Sequence, residues 1–248
     1  RVAATGAGVP VKTVALCSAR GAPGVTTTAL LLAARFEGAA LVEADLAGGV
    51  VAVRYGLGRE PGLVTLAASN PTQPGGWLDH AQDAGGVAVL VGPDSGEAAE
   101  ALWRSAGERI ASVLARSDGW AVVDGGGVWR RAALVDSADL VAVVIRPVAE
   151  QVVSAAHALG ALRRSARGEL AVVLAGDGPY RSGDVAEALG CEVLAHLPDD
   201  PATAEHLRDG GASSKAVGRS RLARSVVALG DIIEVRFATV PTSAGEGV

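Results

Sequence analysis

Long apolar runs are missing from this sequence. Gly, Arg, Asp or Glu interrupts every candidate before the roughly 18 residues a helix needs to cross a bilayer, which excludes a helical membrane span. Cysteine is nearly absent: Cys17 and Cys191 lie far apart inside apolar stretches, so neither a disulfide scaffold nor a cysteine-rich metal cluster is supported. His80, His157, His196 and His206 show no ligand spacing, and no structural metal is expected. The four tryptophans, Trp77, Trp103, Trp120 and Trp129, are scattered rather than spaced as a stacking platform. Positive charge is not in excess either. The formal net charge is -5, so the surface as a whole is not built to hold nucleic acid, and only local basic patches remain open. Lysine occurs only at Lys12 and Lys215, and the other 20 basic residues are arginine. With the abundance of Ala, Gly and Val this looks like coding from a GC-rich genome, a bland reason for Arg to stand where Lys is usual. Residues 1–10 lack the apolar core of a secretory signal, and the chain opens on Arg1 rather than Met. The expectation is a trimmed or partial sequence in a cytoplasmic setting.

What is present is enough apolar material for a sizeable core. Of 248 residues, 49% are hydrophobic and 20% charged, which places the chain among globular proteins of one or two domains. Short apolar runs alternate with helical patterns, the sign of βαβ units around a mostly parallel sheet. The runs are continuous rather than alternating, as strands buried on both faces require. Seven are expected: Thr13–Ser18, Ala39–Glu43, Val87–Val91, Trp120–Asp124, Leu140–Ile145, Leu170–Ala175 and Glu192–Leu197. Helical periodicity marks Thr26–Phe36, Glu97–Arg116, Gln151–Arg164, Asp184–Leu189, Thr203–Arg208 and Ser220–Ile233. Residues 13–235 read as one domain. Residues 1–12 and 236–248 read as tails or linkers, and residues 71–76 as a loop.

The segment from Ser18 to Thr28 (SARGAPGVTTT) joins a buried strand to a helix, the setting of a phosphate-binding loop. In such a loop glycines let N–H groups converge on phosphate oxygens, a lysine neutralises charge and a hydroxyl ligates magnesium. The segment resembles the MinD/ParA group of P-loop ATPases, the SIMIBI class with a deviant Walker A loop, which reads K-G-G-V-G-K-T-T where this chain reads R-G-A-P-G-V-T-T. The resemblance implies that Gly21, Ala22, Pro23, Gly24, Val25, Thr26 and Thr27 line a nucleotide. It implies that Thr26 serves magnesium, and that Arg20 stands for the signature lysine that reaches a partner's nucleotide across a dimer. It also exposes departures. Val25 replaces the P-loop lysine, Ala19 replaces the first glycine, and Pro23 removes one backbone donor.

The likeness runs from about residue 13 to 235. Leu41–Gly49 (LVEADLAGG) is similar to the family's L-V-D-A-D-x-x-G-G. It implies that Asp45 orients the attacking water and that Glu43 stands for the first aspartate. Val122–Gly125 resembles the Walker B end, which gives Asp124 to magnesium. Asp136–Pro147 resembles the family's A-D-x-x-x-x-V-x-x-P stretch. Ala175 stands where relatives carry an adenine-reading Asn, while Pro198 lies in a stretch like the base-lining I-P-x-D. Read without the family, Asp45 is a turn residue or cap and Asp124 a strand-end acid.

The expected fold is therefore a three-layer α/β/α P-loop domain with about seven strands. ATP with magnesium and no cofactor at all both remain open. The resemblance implies a cytoplasmic positioning or partitioning protein for septum, chromosome or a pilus or secretion system, with weak or absent ATP hydrolysis and, if active, slow turnover. The alternative is a nucleotide-free scaffold. A homodimer and a protein partner are expected, with localisation extending to the membrane periphery or cell pole. DNA or a membrane surface is a weaker expectation. It rests on Arg163, Arg164 and Arg167 with Arg219, Arg221 and Arg224 as a backbone-binding patch, whose simpler reading is solvated helix ends, and on Ser220–Ile233, whose simpler role is a core-packed terminal helix.

Overall fold

Strand β1 (Lys12–Ser18) is buried from Thr13 onward, and a strand without an exposed face needs a neighbour on each edge and a layer on each side. It has both. In the computed structural model, which describes residues 12–21, 23–69, 76–211 and 215–238, β1 pairs in parallel with β5 (Trp120–Gly127) and β6 (Leu140–Ile145). The sheet is completed by β2 (Ala39–Glu43), β3 (Gln82–Asp83), β4 (Ala88–Leu90), β7 (Glu169–Ala175) and β8 (Val193–Leu197). The order is β3-β4-β2-β5-β1-β6-β7-β8, and every pair is parallel except β3 with β4. The eighth strand, β3, is one more than the apolar runs predicted. Two polar residues on an edge carry no hydrophobic pattern, and only pairing with β4 makes them a strand.

Helices cover both faces. On one lie α3 (Leu63–Ala68), α4 (Gly96–Ala115), α5 (Ala133–Ser137), α6 (Ala149–Ser165) and α7 (Ser182–Leu189), packed around Ile110, Leu134, Leu159 and Leu162. The other carries α1 (Val25–Arg35), Val51 of α2 (Val51–Tyr55), α8 (Pro201–Arg208), α9 (Lys215–Arg219) and α10 (Arg221–Ala238), around Leu30, Leu32, Val226 and Ile233. This is a three-layer α/β/α fold, with ten α-helices among the described residues. Fully burying one such aliphatic side chain contributes about 1.5–3 kcal/mol, so the two apolar layers hold the sheet between them. No helix among the described residues is long and apolar enough to cross a membrane.

Helix α10 continues to Ala238, past residue 235 where the pattern ended the domain. The reason is anchoring near its end: Phe237 meets Trp120 edge-on, Trp120 stacks on Phe36 at 4.1 Å, and Arg236 pairs with Glu169 and Glu192. Lys12 likewise belongs to β1 rather than a tail, its N–H bonded to the Gly119 carbonyl at 3.0 Å. The expected tails 1–11 and 239–248 and most of the expected loop at 71–76 lie outside the described residues, although Gly76 opens a 3-10 turn through His80. The six arginines do not form one basic patch: α6, with Arg163 and Arg164, and α10, with Arg221 and Arg224, cover opposite faces of the sheet. Arg163 is also engaged with the Leu189 and Gly190 carbonyls. The apolar stripe of α10, Leu222, Val226, Leu229 and Ile233, is buried in the core.

Candidate phosphate-binding cleft

Parallel register brings the chemistry to one rim. Glu43 of β2 and Leu16 of β1 both pair with Asp124 of β5, so the segments that follow these strands leave the sheet side by side, where open α/β sheets bind ligands. After Ser18 the chain turns through Gly21 (φ 70) and Gly24 (φ 89), left-handed conformations that side chains disfavour. Gly24 caps α1 with no side-chain bond, leaving first-turn N–H groups for an anion. The Trp129 indole N–H donates to the Ala19 carbonyl at 2.9 Å and the Val128 N–H to the Ser18 carbonyl at 2.9 Å, pinning the start of the loop.

Asp124 is 4% exposed. Burial pushes its pKa up to about 6, against hydrogen bonds from the Thr26 hydroxyl and the Gly126 N–H, while Asp45 and Glu43 raise it further. Burial thus outweighs every partner this carboxyl has, the setting in which a divalent cation would be held. Asp45 accepts the Ala47 N–H at 2.8 Å and pairs through its backbone with Arg131, which orients its carboxyl toward Gly126. Glu43 has a different task. Its Oε1 accepts the Val50 and Val51 N–H groups, each at 2.8 Å, and its Oε2 that of Gly92 at 3.1 Å. Burial raises its pKa against those bonds, and the side chain fixes the start of α2 rather than facing the cleft.

A cleft of about 410 Å³ brings together Gly21, Gly24, Val25, Thr26, Thr27, Asp45 and Asp124. Arg20 is exposed and does not line it. Pro23 and Pro198 line an adjoining cavity of about 160 Å³ with Ala175 and Asp199, on the side of the loop where the resemblance puts the base. Ala22 lies outside the described residues. Val25 is 7% exposed and packs in the α1 layer of the core, so the position of the P-loop lysine is apolar. Two lining residues escaped the sequence reading, Arg54 and Arg208. Neither sits in a motif, and only the fold of α2 and α8 carries them to the loop. The Thr26 hydroxyl, the Asp124 carboxyl and the free helix terminus fit a magnesium-bound polyphosphate, whereas Val25 offers it no charge and Pro23 no N–H donor.

No protein-family model matches the chain, and no curated protein does. Solved structures do match. The cell division ATPase MinD of Pyrococcus furiosus superposes with a TM-score of 0.72 at 20% identity, over 91% of this chain and 99% of its own. The septum site-determining protein MinD of Pyrococcus horikoshii, complexed with Mg-ADP, gives 0.71 at 17% identity, over 92% and 98%. A ParA family ATPase of Chlorobium tepidum gives 0.66 at 17% identity, over 89% and 98%. The chain has the fold of the MinD and ParA-family P-loop ATPases.

Proposed function

We propose that this protein is a MinD/ParA-like positioning or partitioning protein that binds ATP with magnesium in an atypical site, hydrolyses it weakly or not at all, and works by dimerising and binding a protein partner. The observation that carries this reading is the buried Asp124 carboxyl bonded to Thr26 beside Asp45, in a cleft opened by left-handed glycines. The structural likeness to division and partition ATPases, one of them complexed with Mg-ADP, supports the class of process and the class of ligand. Thr26 and Asp124 would hold the magnesium ion, which when bound neutralises phosphate charge. The first-turn N–H groups of α1 would take phosphate oxygens. Asp45 would orient water, and Arg20 of a second copy would reach the nucleotide across a dimer. The machinery positioned belongs to septum, chromosome or a pilus or secretion system, in the cytoplasm or at the membrane periphery.

Burial of Val25 in the core favours a second reading, a nucleotide-free scaffold that keeps the shape and dimerises without a switch. Isothermal titration with ATP and ADP, with and without magnesium, alongside light scattering, separates the two. Micromolar, magnesium-dependent ATP binding that converts monomer to dimer supports the first. Absence of binding at millimolar nucleotide overturns it in favour of the scaffold.

A further inference from the structure

Two arginines border the cleft in which Val25 stands at the position of the P-loop lysine. Arg54 comes from α2 and Arg208 is the last residue of α8, and both line the space that Thr26, Asp45 and Asp124 share. Their positions are braced together. The Tyr55 hydroxyl donates to the Leu207 carbonyl at 2.9 Å, tying the residues adjacent to the two arginines. Gly210 (φ 87) lies so near the Arg54 carbonyl that an added Cβ would stand 2.9 Å from its oxygen. The far end of α2 is held by Glu43 through the Val50 and Val51 N–H groups. Arg54 makes no ion pair among the described residues, and Arg208 has only an exposed partner, Glu205, at 3.7 Å, a contact of little worth in water. Arg54 acts on the buried Glu43 carboxyl only through its charge, so two guanidinium groups without a close buried partner border a cleft whose other charged members are carboxylates.

We propose that Arg54 and Arg208 supply in cis the phosphate-facing charge that the loop lacks, so that a polyphosphate is held between α1, α2 and α8 rather than by the loop alone. This rests on the nucleotide-binding reading. A guanidinium can offer a phosphate two parallel N–H donors where an ammonium offers a point charge. Moving the charge from the loop to two helices also makes the anion a bridge between them. Sequence alone hides this, because the arginines lie far from the loop in the chain.

The test uses the whole chain with magnesium and a fluorescent N-methylanthraniloyl-ATP, with inorganic tripolyphosphate as competitor. The variants are Arg54→Gln, Arg208→Gln, the double variant, and Arg130→Gln as a control whose side chain pairs with Glu100 outside the cleft. Each cleft arginine removed should weaken the nucleotide and the competitor by roughly ten- to hundredfold, the worth of one charge-assisted hydrogen bond, while the control stays at the parent value. The dependence of affinity on salt should flatten with each charge lost, a readout that a packing defect does not move. Arg54→Lys and Arg208→Lys, which keep the charge, should recover part of the loss even if a Gln variant folds poorly. If the parent binds nucleotide and the double variant binds within twofold of it with the same salt dependence, the assignment of the arginines is wrong and nucleotide binding stands. If the parent binds neither probe at millimolar concentration, the nucleotide-binding reading fails and this inference with it.

Discussion

Gly126 and Asp45 are in such close contact that a Cβ built on Gly126 would lie 2.1 Å from the Asp45 carboxyl carbon. Gly126 also has a φ of 57, where an L side chain costs about 1–2 kcal/mol. Gly126→Ala should therefore destabilise the protein by about 2–4 kcal/mol, strain and steric displacement together. For a chain of this size that lowers Tm by roughly 2–4 °C per kcal/mol. Calorimetry checks the loss, and a Tm within 1 °C of the parent, on the order of the smallest shift that would count, would contradict the geometry. Because Asp45 must move, the variant should also weaken the magnesium-dependent nucleotide binding proposed for this cleft.

Asp124 gives the stability a sign with pH. Its folded pKa of about 6 stands above the ordinary carboxylate value, raised by burial and by Asp45 and Glu43. The folded state therefore binds the proton more tightly than the unfolded chain, and stability from this group is present below about pH 4 and lost as pH rises through 6. Asp124→Asn removes that loss. It should raise stability relative to the parent at pH 7.5 by about 1–3 kcal/mol and make little difference at pH 4. Urea melts at both values measure it, and an equal effect at the two would show that the carboxyl is not the titrating group. The same variant should lose magnesium-dependent nucleotide binding, the usual exchange between stability and a functional charge.

Val25→Lys restores the charge that the loop lacks. Val25 lines both the core and the cleft, so a lysine stem can stay buried while its ammonium reaches the cleft. Affinity for ATP should rise tenfold or more, roughly the worth of one charged contact, for a stability loss of about 1 kcal/mol. Titration calorimetry and a thermal melt give both values. Unchanged affinity in a folded variant would mean that other parts of the pocket have also departed from nucleotide binding.

Glu43 answers three backbone donors. Glu43→Ala strands them and should destabilise by about 2–4 kcal/mol. Glu43→Gln keeps an acceptor for Val50 and Val51 and removes a buried charge but turns an amide NH2 against the Gly92 N–H, so it should cost about 1 kcal/mol at pH 7, less than the alanine. Chemical denaturation of the pair decides, because equal losses would point to lost volume rather than lost acceptors.

The sequence was most informative where physical chemistry allows few alternatives. A strand buried on both faces must be apolar throughout, and β1, β5, β6 and β7 stand within three residues of their expected limits. Glycines in a strand-to-helix turn, an acid closing β2 and another near the end of β5 were visible for the same reason. Helices α2, α3 and α5 span five or six residues, too short to show a 3.6-residue repeat, and they exist because tertiary contacts fix their ends. Glu43, which stands for the family's first aspartate, holds the start of α2, a task the sequence hid because it gives the position of a carboxylate and not the N–H groups folded against it. Arg54 and Arg208 were invisible because their meeting depends on the Tyr55–Leu207 contact between distant segments.

Placing Val25 in the core has a consequence for how such a chain can change over time. At this one position the demands of chemistry and of folding are opposed: a lysine serves the ligand and a valine serves the apolar layer beneath. The strands below the rim feel the choice only at this one contact, because most of their burial comes from Leu30, Leu32, Val226 and Ile233. Exchange of a charge for an apolar side chain at the rim therefore strengthens the scaffold, and the reverse exchange weakens it only slightly. An architecture of this kind can outlast its original reaction and remain available to whatever partner has learned to recognise its outline.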